Sequence, residues 1–194
     1  MEVNKKQIDI LNATKDLFYK YEFRKVTVED ICRAANVSKM TFYKFFSNKL
    51  EAAKSMLDLL FGEAMDKFDA MMGSNIPFAE KMKQIVVMKV ERSKNSEMVI
   101  IQNLYTDTDP EIAQYIQGWI HKGLNFTKKH FLEAQQKGEM RNDISVELIM
   151  LAIDKMQEIA KDKRIFQIYD NTRDFTTEIT KLFLYGITND EEKY

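Results

Sequence analysis

Residues that break helices are scarce in this chain: glycine and proline together supply six and two of its 194 residues, the prolines standing at 77 and 110. Glycine costs about 1 kcal/mol and proline about 3 kcal/mol in a helix interior, so a chain this poor in both folds into long helices with short connections. An all-α protein is expected. Apolar residues make up 45% of the sequence and are spread along it, enough to bury a core, which excludes a disordered tail or a collagen-like fibre.

Cys32 is the one cysteine and leaves nothing for an intrachain disulfide, and the opening MEVNKKQIDILN has no unbroken apolar stretch of a secretory signal. The uncharged apolar run Leu148 to Ile153 is six residues long, against roughly 20 needed to cross a bilayer. A cytoplasmic protein with no membrane partner is therefore expected. The net charge of −1 conceals an asymmetry: residues 1–49 hold ten Lys/Arg and six Asp/Glu (+4), the other 145 hold 19 and 24 (−5). A basic front suits nucleic acid, yet a solvated helical surface also drifts in this way, so the residue pattern must decide.

Ile10, Leu11, Ala13, Leu17, Phe18 and Tyr21 lie at offsets 0, 1, 3, 7, 8 and 11, the stripe of a first helix. Thr27 followed by Asp30 is a hydroxyl cap with a carboxylate three residues on, and Val28, Ile31, Cys32 and Ala35 then line the buried side of a short second helix. At Ala35-Asn36-Val37-Ser38 the chain turns, Asn36 being suited to a left-handed conformation and Ser38 to capping a third helix. On that helix Lys39, Met40, Tyr43 and Lys44 share one face, with Thr41, Phe42, Phe45 and Phe46 opposite. Asn48 and Glu51 repeat the capping signal and place Lys49 in the exposed first turn of a fourth helix, where its N–H groups and ammonium suit a phosphate.

Two short helices joined by a tight turn, the second with a polar face clear of its core, form a helix-turn-helix whose second helix fits the DNA major groove. The stretch VTVEDICRAANVSKMTFYKFFSNKLEA, from Val26 to Ala52, resembles the N-terminal signature of tetracycline-repressor-type (TetR family) regulators. Ile31, Ala35, Val37, Ser38, Thr41, Phe42, Tyr43, Phe46, Asn48 and Lys49 all match that pattern. Three residues depart from it: Asn36 replaces the usual turn glycine, Met40 a small residue, and Phe45 the tyrosine or histidine that offers phosphate a hydrogen bond. Operator preference and one anchoring contact are thereby altered.

The resemblance implies that Thr27, Ser38, Tyr43 and Lys49 hold backbone phosphates, while Lys39, Met40, Thr41 and Lys44 meet base edges. It also implies a helix-turn-helix DNA-binding domain over residues 1–49 and a helical effector-binding and dimerisation domain over 50–194. Without the motif, Thr27 and Ser38 read as ordinary caps and Lys39 and Lys44 as solvated lysines.

Beyond residue 49 the periodicity gives helices at about 49–72, 78–93, 96–106, 110–137, 145–167 and 172–187. Val146, Ile149, Ile153, Met156 and Ala160 form one stripe and Leu148, Leu151 and Ile159 another, more apolar surface than one core contact requires. The family pairs its last two long helices across a two-fold axis, which implies a homodimer through Ile149, Ile153, Met156, Phe175, Ile179, Leu182 and Phe183. Burial of these residues within one subunit is the competing reading. The family's inducer pocket points to Met65, Met98, Tyr105, Tyr115, Trp119 and Phe126, although soft and aromatic residues at helical spacing also serve as core filler.

No cofactor and no enzymatic role are expected. His121 and His130 stand nine residues apart, unlike the i, i+4 metal pair, and Gly118 and Gly123 have P-loop spacing but precede Leu124 and Asn125 rather than lysine and a hydroxyl residue. The expected function is a ligand-responsive repressor that binds a palindromic operator as a homodimer and is released by a small-molecule effector. The alternative is a helical carrier that keeps the fold but has lost operator recognition through Met40 and Phe45.

Overall fold

A computed structural model describes residues 4–94, 99–101, 103–104, 110–159, 168–169 and 172–187. It is all-α. The helices are α1 (Lys5–Lys20), α2 (Val28–Ala34), α3 (Lys39–Phe45), α4 (Lys49–Gly73), α5 (Phe78–Lys94), α6 (Pro110–Gln136), α7 (Val146–Ile159) and α8 (Thr172–Ile187), with a 3₁₀ turn at Phe23–Lys25. Residues 99–101 and 103–104 are also helical, inside the segment expected at 96–106, and the expected continuation of α7 over 160–167 lies outside the described residues. No helix among the described residues is long and apolar enough to cross a membrane.

The chain forms two compact units, Met1–Met65 with Asn95–Ile120, and Asp66–Lys94 with His121–Tyr194. The core of the first joins Ile10, Phe18, Ile31 and Phe42 from α1–α3 to Leu57 of α4 and to Ile100, Leu104, Ile112 and Ile116. Some 49 residues in three short helices would bury too little apolar surface to stand alone. The compact unit that contains them accordingly runs on into α4 and takes in residues 95–120. Helix α1 ends one residue earlier than its stripe suggested: Tyr21 is its extended C-cap, donating its N–H to Leu17 O, and its ring is exposed.

In the second unit Met72, Phe78, Met82, Phe131, Met140, Val146, Ile149 and Ile187 form the core, and α8 packs along α5. Helix α6 stops at Gly138, which adopts φ 72° while Glu139 N–H reaches back to Ala134 O at 2.9 Å and Gly138 N–H to Gln135 O at 3.0 Å. A left-handed residue at this point satisfies carbonyls that the helix end would otherwise orphan, and glycine adopts it without strain. Lys81 of α5 is buried, donating to Met72 O near the end of α4 at 2.9 Å and lying 3.4 Å from Glu139 Oε2. A cation there complements the negative end of the helix dipole.

Two residues expected at a dimer interface are instead internal to this unit. Ile149 belongs to the core and Phe175 is buried, so neither is available to a second subunit. Ile153 and Phe183 are partly buried and lean on the same core. The stripe of α7 left outside is the other one: Leu148 is 57% exposed and Leu151 54%, with Ile159 exposed in line with them, and Leu182 of α8 is 74% exposed. Periodicity had marked both stripes of α7 as apolar; packing covers the Val146–Ile149–Ile153 side, which continues onto Met140 and Phe131.

Candidate nucleic-acid interface

The helix-turn-helix is held by three caps in succession. At the start of α2, Thr27 Oγ1 accepts from Asp30 N at 3.2 Å, and Asp30 Oδ2 accepts from Thr27 N at 3.1 Å and from Thr27 Oγ1 at 2.6 Å. This reciprocal box satisfies two orphan N–H groups at once. The Thr27 hydroxyl holds the Asp30 carboxyl below its ordinary range. At the end of α2, Val37 N–H reaches Cys32 O at 3.0 Å and Asn36 N–H reaches Arg33 O at 3.3 Å, with Asn36 at φ 51°. Asparagine thus occupies the left-handed cap where the family uses glycine, a conformation it tolerates better than most side-chain-bearing residues.

Ser38 then caps α3, its Oγ accepting from Thr41 N at 3.1 Å and lying 3.0 Å from Thr41 Oγ1. The inner side of α3 is anchored by Phe42 and Phe46, both buried, with ring centroids 5.7 Å apart. Tyr43 meets the Phe42 ring edge-on at 5.5 Å and is itself exposed. Met40 is 83% exposed, and Lys39 and Lys44 are exposed beside it. The predicted face of Lys39, Met40, Tyr43 and Lys44 is thus the solvent face, while Thr41 is half-buried. Phe45 leans against the core of the head, which accounts for an apolar residue there in terms of packing.

Lys39 is paired with Glu29 of α2; this contact holds the Glu29 carboxyl below its usual range and raises the Lys39 ammonium. At the start of α4, Asn48 Oδ1 accepts from Glu51 N at 2.9 Å as expected, but the Glu51 carboxylate turns to Ser47, accepting from its N–H at 2.6 Å and from its hydroxyl. Lys49 departs most from expectation. It is half-buried, donating from Nζ to Phe23 O at 2.7 Å and Val26 O at 2.6 Å, with Nζ 4.2 Å from the centre of the Phe23 ring. Its ammonium serves as an internal tie between α4 and the turn that leads into α2. No local pattern of residues signals that tie or the Glu29–Lys39 pair.

Of the residues expected to line an effector pocket, Met65, Tyr115 and Trp119 belong to the first unit and Phe126 to the second. Tyr115 OH and Trp119 Nε1 both donate to Asp58 Oδ1, at 2.5 and 3.0 Å, and the Trp119 ring stacks on Phe61 at 5.5 Å. Burial and the Asp58 carboxylate raise the Tyr115 phenol. Phe126 belongs to the other unit, where its ring packs on Phe68 at 6.0 Å and on His130 at 4.8 Å. His130 Nε2 lies 3.0 Å from Asp69 Oδ1, but out of line for a hydrogen bond. Met65 is half-buried, and Met98 and Tyr105 lie outside the described residues. No group of three metal-ligating side chains occurs among the described residues.

Residues 10–54, from α1 to the start of α4, match the family of bacterial regulatory proteins, tetR family. That segment, which contains the whole helix-turn-helix, is similar to the tetR family. A similar curated relative is an HTH-type transcriptional regulator, YhgD of Bacillus subtilis, 26% identical over 137 residues that cover 64% of this chain and 71% of that protein. Among solved structures, SmeT, the repressor of a Stenotrophomonas maltophilia multidrug efflux pump, superposes with a TM-score of 0.76 at 12% identity, covering 100% of this chain and 94% of that one. FadR of Bacillus subtilis, solved with stearoyl-CoA, superposes with a TM-score of 0.71 at 18% identity, covering 92% and 98%. The chain thus shares its fold with these regulators, and its tetR segment coincides with the helix-turn-helix at its front.

Proposed function

We propose that this regulator is a repressor that binds a palindromic DNA operator as a homodimer and leaves it when a small-molecule effector binds. The observation that carries the reading is the outer face of α3, where Lys39, Met40, Tyr43 and Lys44 stand in solvent on a helix fixed from behind by Phe42 and Phe46. In this reading Lys39, Met40, Thr41 and Lys44 meet base edges, and Ser38, Tyr43 and the N-terminal N–H groups of α4 meet phosphates. Thr27 already has its hydroxyl proton on Asp30, so its part is to fix the start of α2. Lys49, engaged with Phe23 and Val26, orients the head and does not neutralise phosphate.

Residues 1–49 form the DNA-reading part of this proposal, and residues 50–194 the part that dimerises and responds to effector. The exposed Leu148, Leu151 and Ile159 of α7 and Leu182 of α8 supply the apolar surface for a two-fold interface. Two recognition helices would then lie in successive major grooves, roughly 34–36 Å apart. An effector lowers operator affinity by binding better to a state with a different head separation. The repressor SmeT and the acyl-CoA-bound FadR are the relatives that motivate repression and an effector with a large apolar body. A protein that acts on the chromosome works in the cytoplasm.

Selection of bound duplexes from a random pool by the purified chain, followed by a salt titration, tests the reading. The expected result is a palindromic consensus whose affinity falls steeply with salt, with two chains per duplex in sedimentation. Equal affinity for every duplex would refute it and favour a helical carrier.

A further inference from the structure

Building on the reading of α3 as a DNA-recognition helix, we propose that Glu29 is a specificity-determining positioning residue. Its carboxylate holds the Lys39 ammonium so that this lysine reads base edges and adds little to sequence-independent phosphate binding. The pair joins the second residue of α2 to the first residue of α3, and both side chains are about half-exposed, at 51% and 56%.

Capping of α2 does not need Glu29, because Asp30 forms the box with Thr27 and also lies 3.4 Å from Arg33 Nη1. The role left to the Glu29 carboxylate is the one its contact defines. An ammonium already matched to a carboxylate has little to gain from a phosphate, because its charge is compensated before DNA arrives and few counterions are released. It still carries three N–H donors and spends only part of them on Glu29, so it can donate to an acceptor in the major groove such as guanine N7 or O6. The result is a cation that distinguishes sequences while contributing little to sequence-independent affinity. Discrimination rests on the difference between the two affinities, so suppressing the wrong one is as effective as raising the right one.

The test compares Glu29→Gln with Glu22→Gln, which makes the same charge change at an exposed residue paired with Lys25. Lys39→Gln and the Glu29→Gln/Lys39→Gln double variant complete the set. Binding is followed by fluorescence anisotropy over a salt series, on a duplex selected from a random pool and on a scrambled duplex of the same composition. Glu29→Gln is expected to bind the scrambled duplex about two- to fivefold tighter, with a salt slope steeper by about 0.9, and to gain less on the selected duplex, so that the affinity ratio falls.

Glu22→Gln is expected to move both affinities together and leave the ratio unchanged. In the Lys39→Gln background the Glu29 change is expected to leave the ratio alone, because there is no ammonium left to position. An unchanged ratio in Glu29→Gln, or a fall that persists without Lys39, overturns the proposal while leaving the regulator reading intact. A wild-type chain that does not distinguish the two duplexes overturns the recognition-helix reading and this inference together.

Discussion

Replacing Lys49 by methionine separates an internal tie from a phosphate contact. Methionine keeps most of the apolar stem and its packing, and removes the ammonium that serves the Phe23 and Val26 carbonyls and the Phe23 ring. A hydrogen bond from a charged donor contributes about 1.5–3 kcal/mol net, and a cation–ring contact at a site open to water about 0.5–1 kcal/mol. The site is only half-buried, so water replaces part of what each carbonyl loses, and the full sum for two bonds and one ring contact is not realised. Taking one bond at its lower value, half as much for the second and the ring at its minimum gives about 2.5–3 kcal/mol. Urea unfolding followed by circular dichroism should show this as a lower midpoint with an unchanged slope. At urea-free, low temperature, where the variant stays folded, its slope of log affinity against log salt on DNA should match the wild type. A variant of unaltered stability whose slope is shallower by about 0.9 would overturn the internal tie and place the Lys49 ammonium on a phosphate.

Leu57→Ala, at a fully buried position in the first unit, should cost about 2–5 kcal/mol in urea unfolding, and a loss below 1 kcal/mol would show that the site is not close-packed. The lowered Asp30 and Glu51 carboxyls contribute stability that is complete above their unfolded values, near 3.8 and 4.5, and is lost as pH falls through their lower folded values. Urea midpoints measured from pH 6 downwards should therefore decline less steeply below pH 4.5 for Asp30→Asn than for the wild type, and identical curves would contradict the capping geometry. Leu148→Glu with Leu151→Glu should convert a sedimenting dimer to a monomer with unchanged helicity, whereas Ile149→Glu should unfold the second unit; a dimer that survives the first pair of changes would place the interface elsewhere.

What could be read from the sequence is what acts over a few residues. Thr27 with Asp30, Ser38 with Thr41 and Asn48 with Glu51 are caps whose partners lie three positions apart, and Asn36 takes its left-handed turn for reasons contained within α2 and the residue after it. The face of α3 follows from 100° per residue, which sets Met40 and Tyr43 away from Phe42 and Phe46 before any tertiary contact is known. The scarcity of glycine and proline set the helices themselves, from α1 to α8, to within a residue or two where they are described.

Tertiary structure decided what those faces meet. Lys49 and Phe23 are 26 positions apart and Lys39 and Glu29 ten, with at least one helix end between the members of each pair, so only the folded path of α1–α4 brings each pair together. Tertiary packing likewise chose between the two apolar stripes of α7, covering Ile149 and leaving Leu148 and Leu151 in solvent. Hydrophobicity is a property of a side chain and its period a property of a helix, but burial is a property of whatever element arrives on the other side, and that is fixed only when the whole chain has packed.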